Sequence, residues 1–142
     1  FYSQNIDRGS KPINGVIEFL KWAKNKNISM AVCTNKQERL AIDLLKKLKM
    51  YEYFEYVAGS DTFSFNKPDP RHLTDVVEII QGDLRKTIMI GDSEVDGKSA
   101  ENANIPFVLV KDGYTEKSTK EIKHDELIED FKNFDNVIQK YL

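Results

Sequence analysis

Residues 87–110 read TIMIGDSEVDGKSAENANIPFVLV, and their pattern decides the fold. Thr87-Ile88-Met89-Ile90 is short, apolar and partly β-branched, which predicts a buried strand. Gly91-Asp92-Ser93 interrupts it, and the residues from about Val95 to Asn102 predict a helix. That helix should end near Asn104, because asparagine enters the left-handed conformation more easily than most residues. Pro106 to Val110 then predicts another buried strand.

The same alternation extends on both sides. Upstream, Val16, Phe19, Leu20 and Ala23 recur at helical spacing and predict an amphipathic helix from Asn14 to Lys26. Ile28 to Cys33 predicts a strand, and Leu40, Ala41, Leu44, Leu45 and Leu48 form a second helical stripe. Tyr56-Val57-Ala58 predicts a short strand ending at Gly59, followed by a loop from Ser60 to Pro70. Asp69 suits an N-cap and Pro70 a first helical turn. The helix they begin buries Leu73, Val76, Val77 and Ile80 and should end at Gly82. Downstream, Leu127-Ile128 and then Phe131, Phe134, Val137, Ile138 and Leu142 suggest a last short strand and helix. Such an order implies an α/β fold, a parallel sheet covered by helices on both faces. Ligands of such sheets sit beyond the carboxyl ends of the strands, so polar residues directly after strands are the ones to examine.

Composition narrows the possibilities. The 142 residues suit one domain with a real core, and 40% hydrophobic with 31% charged residues is an ordinary soluble balance. A net charge of −2, with both signs mixed along the chain, offers no basic patch for nucleic acid. No apolar run is long enough to span a bilayer and nothing resembles a signal peptide, so no membrane partner and a cytoplasmic setting are expected. Cys33 is the single cysteine, which excludes an internal disulfide.

Three polar clusters follow strands. Thr34-Asn35-Lys36 follows Cys33; a hydroxyl and the freed N–H groups of a strand-to-helix turn can hold phosphate oxygens, or can simply cap the next helix. Asn66-Lys67-Pro68-Asp69-Pro70 flanks one lysine with prolines, which stiffen the backbone and fix the direction of its ammonium group. The plainer alternative is a surface lysine in a turn. Gly91-Asp92-Ser93-Glu94-Val95-Asp96 supplies hard carboxylate oxygens suited to Mg2+. Ser93 with Asp96 three residues on also resembles a capping box, but capping leaves Asp92 unexplained. Glu94 reads as solvated or as an outer support.

Taken together, "VCTNK", "NKPDP" and "MIGDSEVDGKSAENANIP" resemble the second, third and fourth motifs of the haloacid dehalogenase superfamily, in its branch of phosphoglycolate phosphatases and related sugar-phosphate phosphatases. The resemblance covers nearly the whole chain. It implies a three-layer Rossmann-like core and an Mg2+-dependent phosphomonoester hydrolase. It also implies that Thr34 binds the transferring phosphoryl group with help from the backbone near Asn35, and that Lys67 neutralises charge there. Asp92 and Asp96 would hold the metal, and the partner would be a small phosphorylated metabolite such as 2-phosphoglycolate. Asn104 stands where the family has a glycine.

One departure is larger. The family begins with a strand ending in Asp-x-Asp-x-Thr, whose first aspartate becomes an aspartyl-phosphate and whose second is a general acid/base. No such motif occurs here: Asp7-Arg8-Gly9 follows no apolar strand, and Asp61-Thr62 precedes Lys67 in a loop. The chain opens on Phe1 without an initiator methionine, so residues 1–13 read as the tail of a helical cap and its linker, and 14–142 as the core. The absent strand would be the central one, between those ending at Cys33 and Ile90, and the chain as given should be inactive. The alternative function is a non-catalytic phosphate- or protein-binding module on the same fold. A mutase would differ in cap residues; a dehalogenase needs no Mg2+, which the acid pair argues against. A receiver-like domain would place its acids early and its lysine late, the reverse of the order here.

Overall fold

A computed structural model describes residues 15–110, 122–128, 131–132 and 134–141. Helix α1 (Val16–Asn25) leads to strand β1 (Ala31–Cys33), helix α2 (Glu38–Lys47) and strand β2 (Tyr56–Ala58). Helix α3 (Arg71–Ile79), strand β3 (Met89–Gly91), helix α4 (Glu94–Asn102) and strand β4 (Phe107–Val110) continue the alternation. Strand β5 (Glu126–Ile128) and helix α5 (Phe134–Ile138) close it, as the apolar positions of the tail predict. Every strand pairing among the described residues is parallel: β1 with β2, β3 with β4, and β4 with β5. The expected cap-and-linker segment 1–13 lies outside the described residues.

Apolar side chains alternate between two cores, as a period of two requires. Val32, Ile90 and Val108 point into one core with Phe19 and Leu20 of α1, Leu45 of α2 and Phe134 of α5. Their neighbours Ala31, Cys33, Met89 and Leu109 point into the other, with Leu73 and Val76 of α3 and Ala100 of α4. Helices therefore cover both faces. Burying one such Leu, Met or Phe fully contributes about 1.5–3 kcal/mol, so neither face could be left wet at small cost.

The strands form two sheets, not one. Their orders are β1-β2 and β3-β4-β5, and no ladder joins β1 to β3 among the described residues. An apolar cavity of about 330 Å3 lies there, lined by Ala31 and Cys33 of β1, Leu73 and Val76 of α3, and Ile88 and Met89 at β3.

Local departures from the expectations have simple causes. Strand β1 begins at Ala31, not Ile28, because only Ala31–Cys33 have partners on β2. Leu40 is exposed, since Ala41 and Leu45 define the buried stripe and a residue one step earlier turns about 100° away. Helix α3 reverses on Gln81, at φ 59°, rather than on Gly82, whose N–H instead bonds Val77 O at 2.8 Å. Asn104 does take the left-handed conformation expected of it, at φ 58°. No described helix is long and apolar enough to cross a membrane.

Candidate active site

Strand β1 ends at Cys33, and Thr34 is the first residue beyond it. Its N–H donates to Ala58 O at 2.9 Å, extending the β1–β2 pairing by one bond. Its buried hydroxyl accepts from the Lys36 N–H at 3.1 Å, shaping the turn toward α2. Capping of α2 comes from elsewhere: the Glu38 N–H donates to Asp61 Oδ1 at 2.9 Å, from the loop after β2. Thr34 is thus not the cap of α2.

The loop after β2 packs on the turn after β1. Ser60 N–H donates to Lys36 O at 2.8 Å. A Cβ on Gly59 would come within 2.6 Å of Lys36 O, so only glycine allows this approach. His72 ties the start of α3 to the same point, its Nε2 lying 3.1 Å from Gly59 O. Because Gly59 O can only accept, Nε2 carries the proton and Nδ1 does not. That Nδ1 is buried without a hydrogen-bond partner.

Lys67 follows in the loop before α3 and is buried, unlike most lysines. Its peptide group is held by the side chain of Asn35: Nδ2 donates to Lys67 O at 3.1 Å, and Lys67 N–H donates to Oδ1 at 3.2 Å. The Lys67–Pro68 bond is cis. Asn102 of α4 reaches the same loop, its Nδ2 donating to Pro68 O at 3.4 Å. Helix α3 starts at Arg71 with Pro70 at the cap position, one residue later than expected, and Asp69 Oδ1 just before it accepts the Arg71 N–H at 2.9 Å.

The Lys67 ammonium pairs with Asp96 Oδ1, both side chains being nearly inaccessible to solvent. Asp96 lies in the first turn of α4, where Ser93 Oγ accepts its N–H at 3.3 Å, the serine half of a capping box. Its other oxygen, Oδ2, accepts the N–H of Asp92 at 3.2 Å. A Cβ on Gly91 would lie 2.6 Å from Asp96 Cβ, so a glycine at the end of β3 is what lets Asp96 fold back over the strand end. Asp92 itself is buried, and Glu94 is exposed as expected. The segments at the ends of β1, β3 and the Lys67 loop are therefore joined by direct bonds, Asn35 to Lys67, Lys67 to Asp96, and Asp96 to Asp92.

Electrostatics divides the reactive groups. Burial pushes the Cys33 thiol up to about 12, against the opposing pull of Lys67. It stays a protonated donor to His72 O at 3.6 Å and is no nucleophile near neutral pH. Burial also lowers the His72 pKa, its bond to Gly59 acting in the opposite direction. The described residues contain no cluster of three metal-binding side chains. Mg2+ asks for less than that: one or two carboxylates, with water and substrate phosphate completing an octahedron. The buried, adjacent Asp92 and Asp96 fit that demand.

Sequence reasoning missed His72, although its place four residues before Val76 on the buried stripe of α3 carries a signal. Asp61 and Asn102 act across long separations and leave no local mark.

Comparison with known proteins identifies the family. The sequence model of the haloacid dehalogenase-like hydrolases matches residues 1–110. A phosphoglycolate phosphatase of Agrobacterium fabrum is 42% identical over 130 residues, covering 92% of this chain and 56% of that protein. The phosphoglycolate phosphatase of Mesorhizobium japonicum is 39% identical, covering 92% of this chain and 57% of that protein. This chain thus spans about half the length of the curated relatives it matches. Among solved structures, one described as a predicted phosphoglycolate phosphatase from Haemophilus somnus superposes with a TM-score of 0.84 at 22% identity, covering 89% of this chain and 57% of the other, a likeness of fold. A HAD-superfamily hydrolase of subfamily IA from Geobacter sulfurreducens gives 0.76 at 27% identity over 89% of this chain and 61% of its own.

Proposed function

Because this chain belongs to the haloacid dehalogenase-like hydrolases, we propose that it is the phosphate- and metal-holding part of a magnesium-dependent phosphomonoester hydrolase. The substrate class is a small phosphorylated metabolite, with 2-phosphoglycolate first among candidates because the relatives carry that activity in their names. The observation that carries the proposal is the bonded path from Asn35 through Lys67 and Asp96 to Asp92. It joins a cation and two carboxylates from widely separated parts of the sequence, with Thr34 next to Asn35 at one end.

The reaction proposed is phosphoryl transfer from the ester oxygen of the substrate to a carboxylate, breaking the ester P–O bond and releasing the alcohol. Water then hydrolyses the resulting aspartyl-phosphate to inorganic phosphate and the free carboxylate. That carboxylate is outside the three motifs found here; a longer parent would supply it on a strand seated between β1 and β3, where the apolar cavity lies. Thr34 would donate its hydroxyl proton to a phosphoryl oxygen, with backbone N–H groups near Asn35 beside it. Lys67 would offset the negative charge shared by nucleophile and phosphate; a unit pair about 4 Å apart is worth about 4 kcal/mol at an effective dielectric near 20. Asp92 and Asp96 would hold Mg2+, which when bound adds a second centre of positive charge for the transferring group. Asp96 would also orient Lys67 and the Asp92 backbone, one carboxylate serving the cation and the metal end together.

Assays with 2-phosphoglycolate and p-nitrophenyl phosphate in the presence of Mg2+ test this. The 142-residue chain is expected to leave both intact. The longer parent is expected to hydrolyse 2-phosphoglycolate, and Asp92→Ala in it to abolish turnover. Turnover by the short chain that Asp92→Ala removes would refute its inactivity, and a parent with no Mg2+-dependent phosphatase activity would overturn the assignment.

A further inference from the structure

The side chain of Asn35 does something other than what its position in the sequence suggests. Next to Thr34, the backbone near Asn35 is expected to help hold phosphate, a role that leaves the side chain out. Both its carbonyl oxygen and one N–H are instead spent on the main chain of Lys67, at 3.2 and 3.1 Å. A carboxamide is nearly a peptide group, and here it pairs with Lys67 as a neighbouring strand would. The pairing fills a need. Residues 64–67 belong to no strand, so the Lys67 N–H and C=O have no ladder to satisfy them, and the lysine is buried. Pro68 next in sequence has no N–H to contribute.

We propose that Asn35 is a positioning residue: its carboxamide clamps the Lys67 peptide to the end of β1 and thereby aims the ammonium group. The assignment rests on the phosphatase reading for its consequence, but the clamp itself does not. Only asparagine offers a donor and an acceptor side by side at this reach; aspartate would set a carboxylate oxygen against the Lys67 carbonyl, and serine or alanine could not bridge both groups. Asn35 is exposed, so truncating it opens no cavity, and its effect can be read without a loss of core packing.

Two measurements decide the matter on the 142-residue chain. In the first, amide hydrogen exchange is compared between the native chain and Asn35→Ala. The Lys67 amide is expected to exchange at least about fivefold faster in the variant, the effect of losing hydrogen bonds of ordinary net strength. The Thr34 amide, bonded to Ala58 O, should be unchanged and serves as the control for folding. Unchanged exchange at Lys67 would overturn the clamp. In the second, inorganic phosphate is titrated by 31P NMR into the native chain, Asn35→Ala, Lys67→Met and the double variant, with Lys67→Arg in place of Lys67→Met should the latter not fold. If Asn35 acts through Lys67, the double variant binds phosphate no more weakly than the lysine variant alone. Additive losses would show that Asn35 meets phosphate itself and would overturn the positioning role. A native chain that binds no phosphate would count against the phosphatase reading, while the exchange result would still stand or fall by itself.

Discussion

Lys67 and Asp96 form an ion pair with side chains only 5% and 4% exposed, and that burial sets how much the pair matters. Taking both charges out of water is costly, so the pair adds little over an apolar substitute, but removing one partner leaves the other charge in a dry place. Lys67→Met is therefore expected to destabilise the chain by about 3–5 kcal/mol, measured by urea denaturation. Lys67→Met with Asp96→Leu should recover part of that loss; equal losses for single and double variants would contradict the pairing. His72 gives a pH effect of definite sign. It is buried with Nε2 on Gly59 O, and burial lowers its pKa, with Lys67 lowering it further and Asp69 and Asp75 acting the other way. Between the depressed folded value and the ordinary value near 6.5, the unfolded chain binds more protons, so stability rises with pH. The His72 contribution is complete above about pH 6.5 and is lost as pH falls below it. Melting temperature followed from pH 7.5 down to pH 5 should fall more steeply in the native chain than in His72→Gln; parallel curves would remove His72 from the account. Thr34, Lys67, Asp92 and Asp96 were legible as candidates because they sit just after a strand, in a stiffened loop or in the first turn of the helix that follows, and all four are buried. The side-chain partners of Asn35 and His72 were not, because nothing local records a bond across 32 or 13 residues.

Elements deliver these residues to one place through close approaches of backbone, and two glycines carry the approaches. Gly59 lies at the end of β2, where an added Cβ would meet backbone atoms, Glu38 Cα at 2.5 Å and Lys36 O at 2.6 Å. Gly91 ends β3, where the obstacle would be the side chain of Asp96. Backbone cannot give way as a side chain can, so Gly59→Ala should exceed the usual overpacking cost of about 1–3 kcal/mol, and Gly91→Ala should fall within it. The two should differ in character as well. Gly91→Ala must displace Asp96 from the Asp92 N–H and so weaken Mg2+ binding, whereas Gly59→Ala acts mainly on folding. Urea midpoints and Mg2+ titration by calorimetry of both variants check this; equal stability losses with no effect on Mg2+ would refute it. The elements themselves were largely legible, because buried stripes such as Val16, Phe19, Leu20 and Ala23 and runs such as Ile88-Met89-Ile90 have only one economical conformation. Misjudged positions were those decided by tertiary neighbours. Leu40 fits a helical stripe by spacing and still faces water, and the turn after α3 chose Gln81 over the adjacent glycine.

At the scale of the whole molecule the sequence predicts parallel strands but not their order, since alternation of strand and helix fixes direction and leaves neighbours open. The expectation of a missing central strand came from the family resemblance, and the two separate sheets with an apolar cavity between β1 and β3 agree with it. Among the described residues each of those strands has a ladder on one side: β1 on β2, and β3 on β4. An apolar edge without a ladder invites pairing with other chains, a hazard that folded proteins avoid. A strand seated in the slot would add main-chain bonds on both sides, each worth about 0.5–1.5 kcal/mol net, and would bury the apolar lining as well. A longer parent carrying that strand should therefore be more stable than the 142-residue chain by at least about 3 kcal/mol. Its Ala31–Cys33 and Met89–Gly91 amides should exchange more slowly, and the gain should be largest for amides directed at the slot. The short chain should in turn self-associate as its concentration rises. Urea denaturation, amide exchange and sedimentation of the two proteins side by side test all three; equal stability and equal protection of β1 and β3 would mean that the slot needs no further strand.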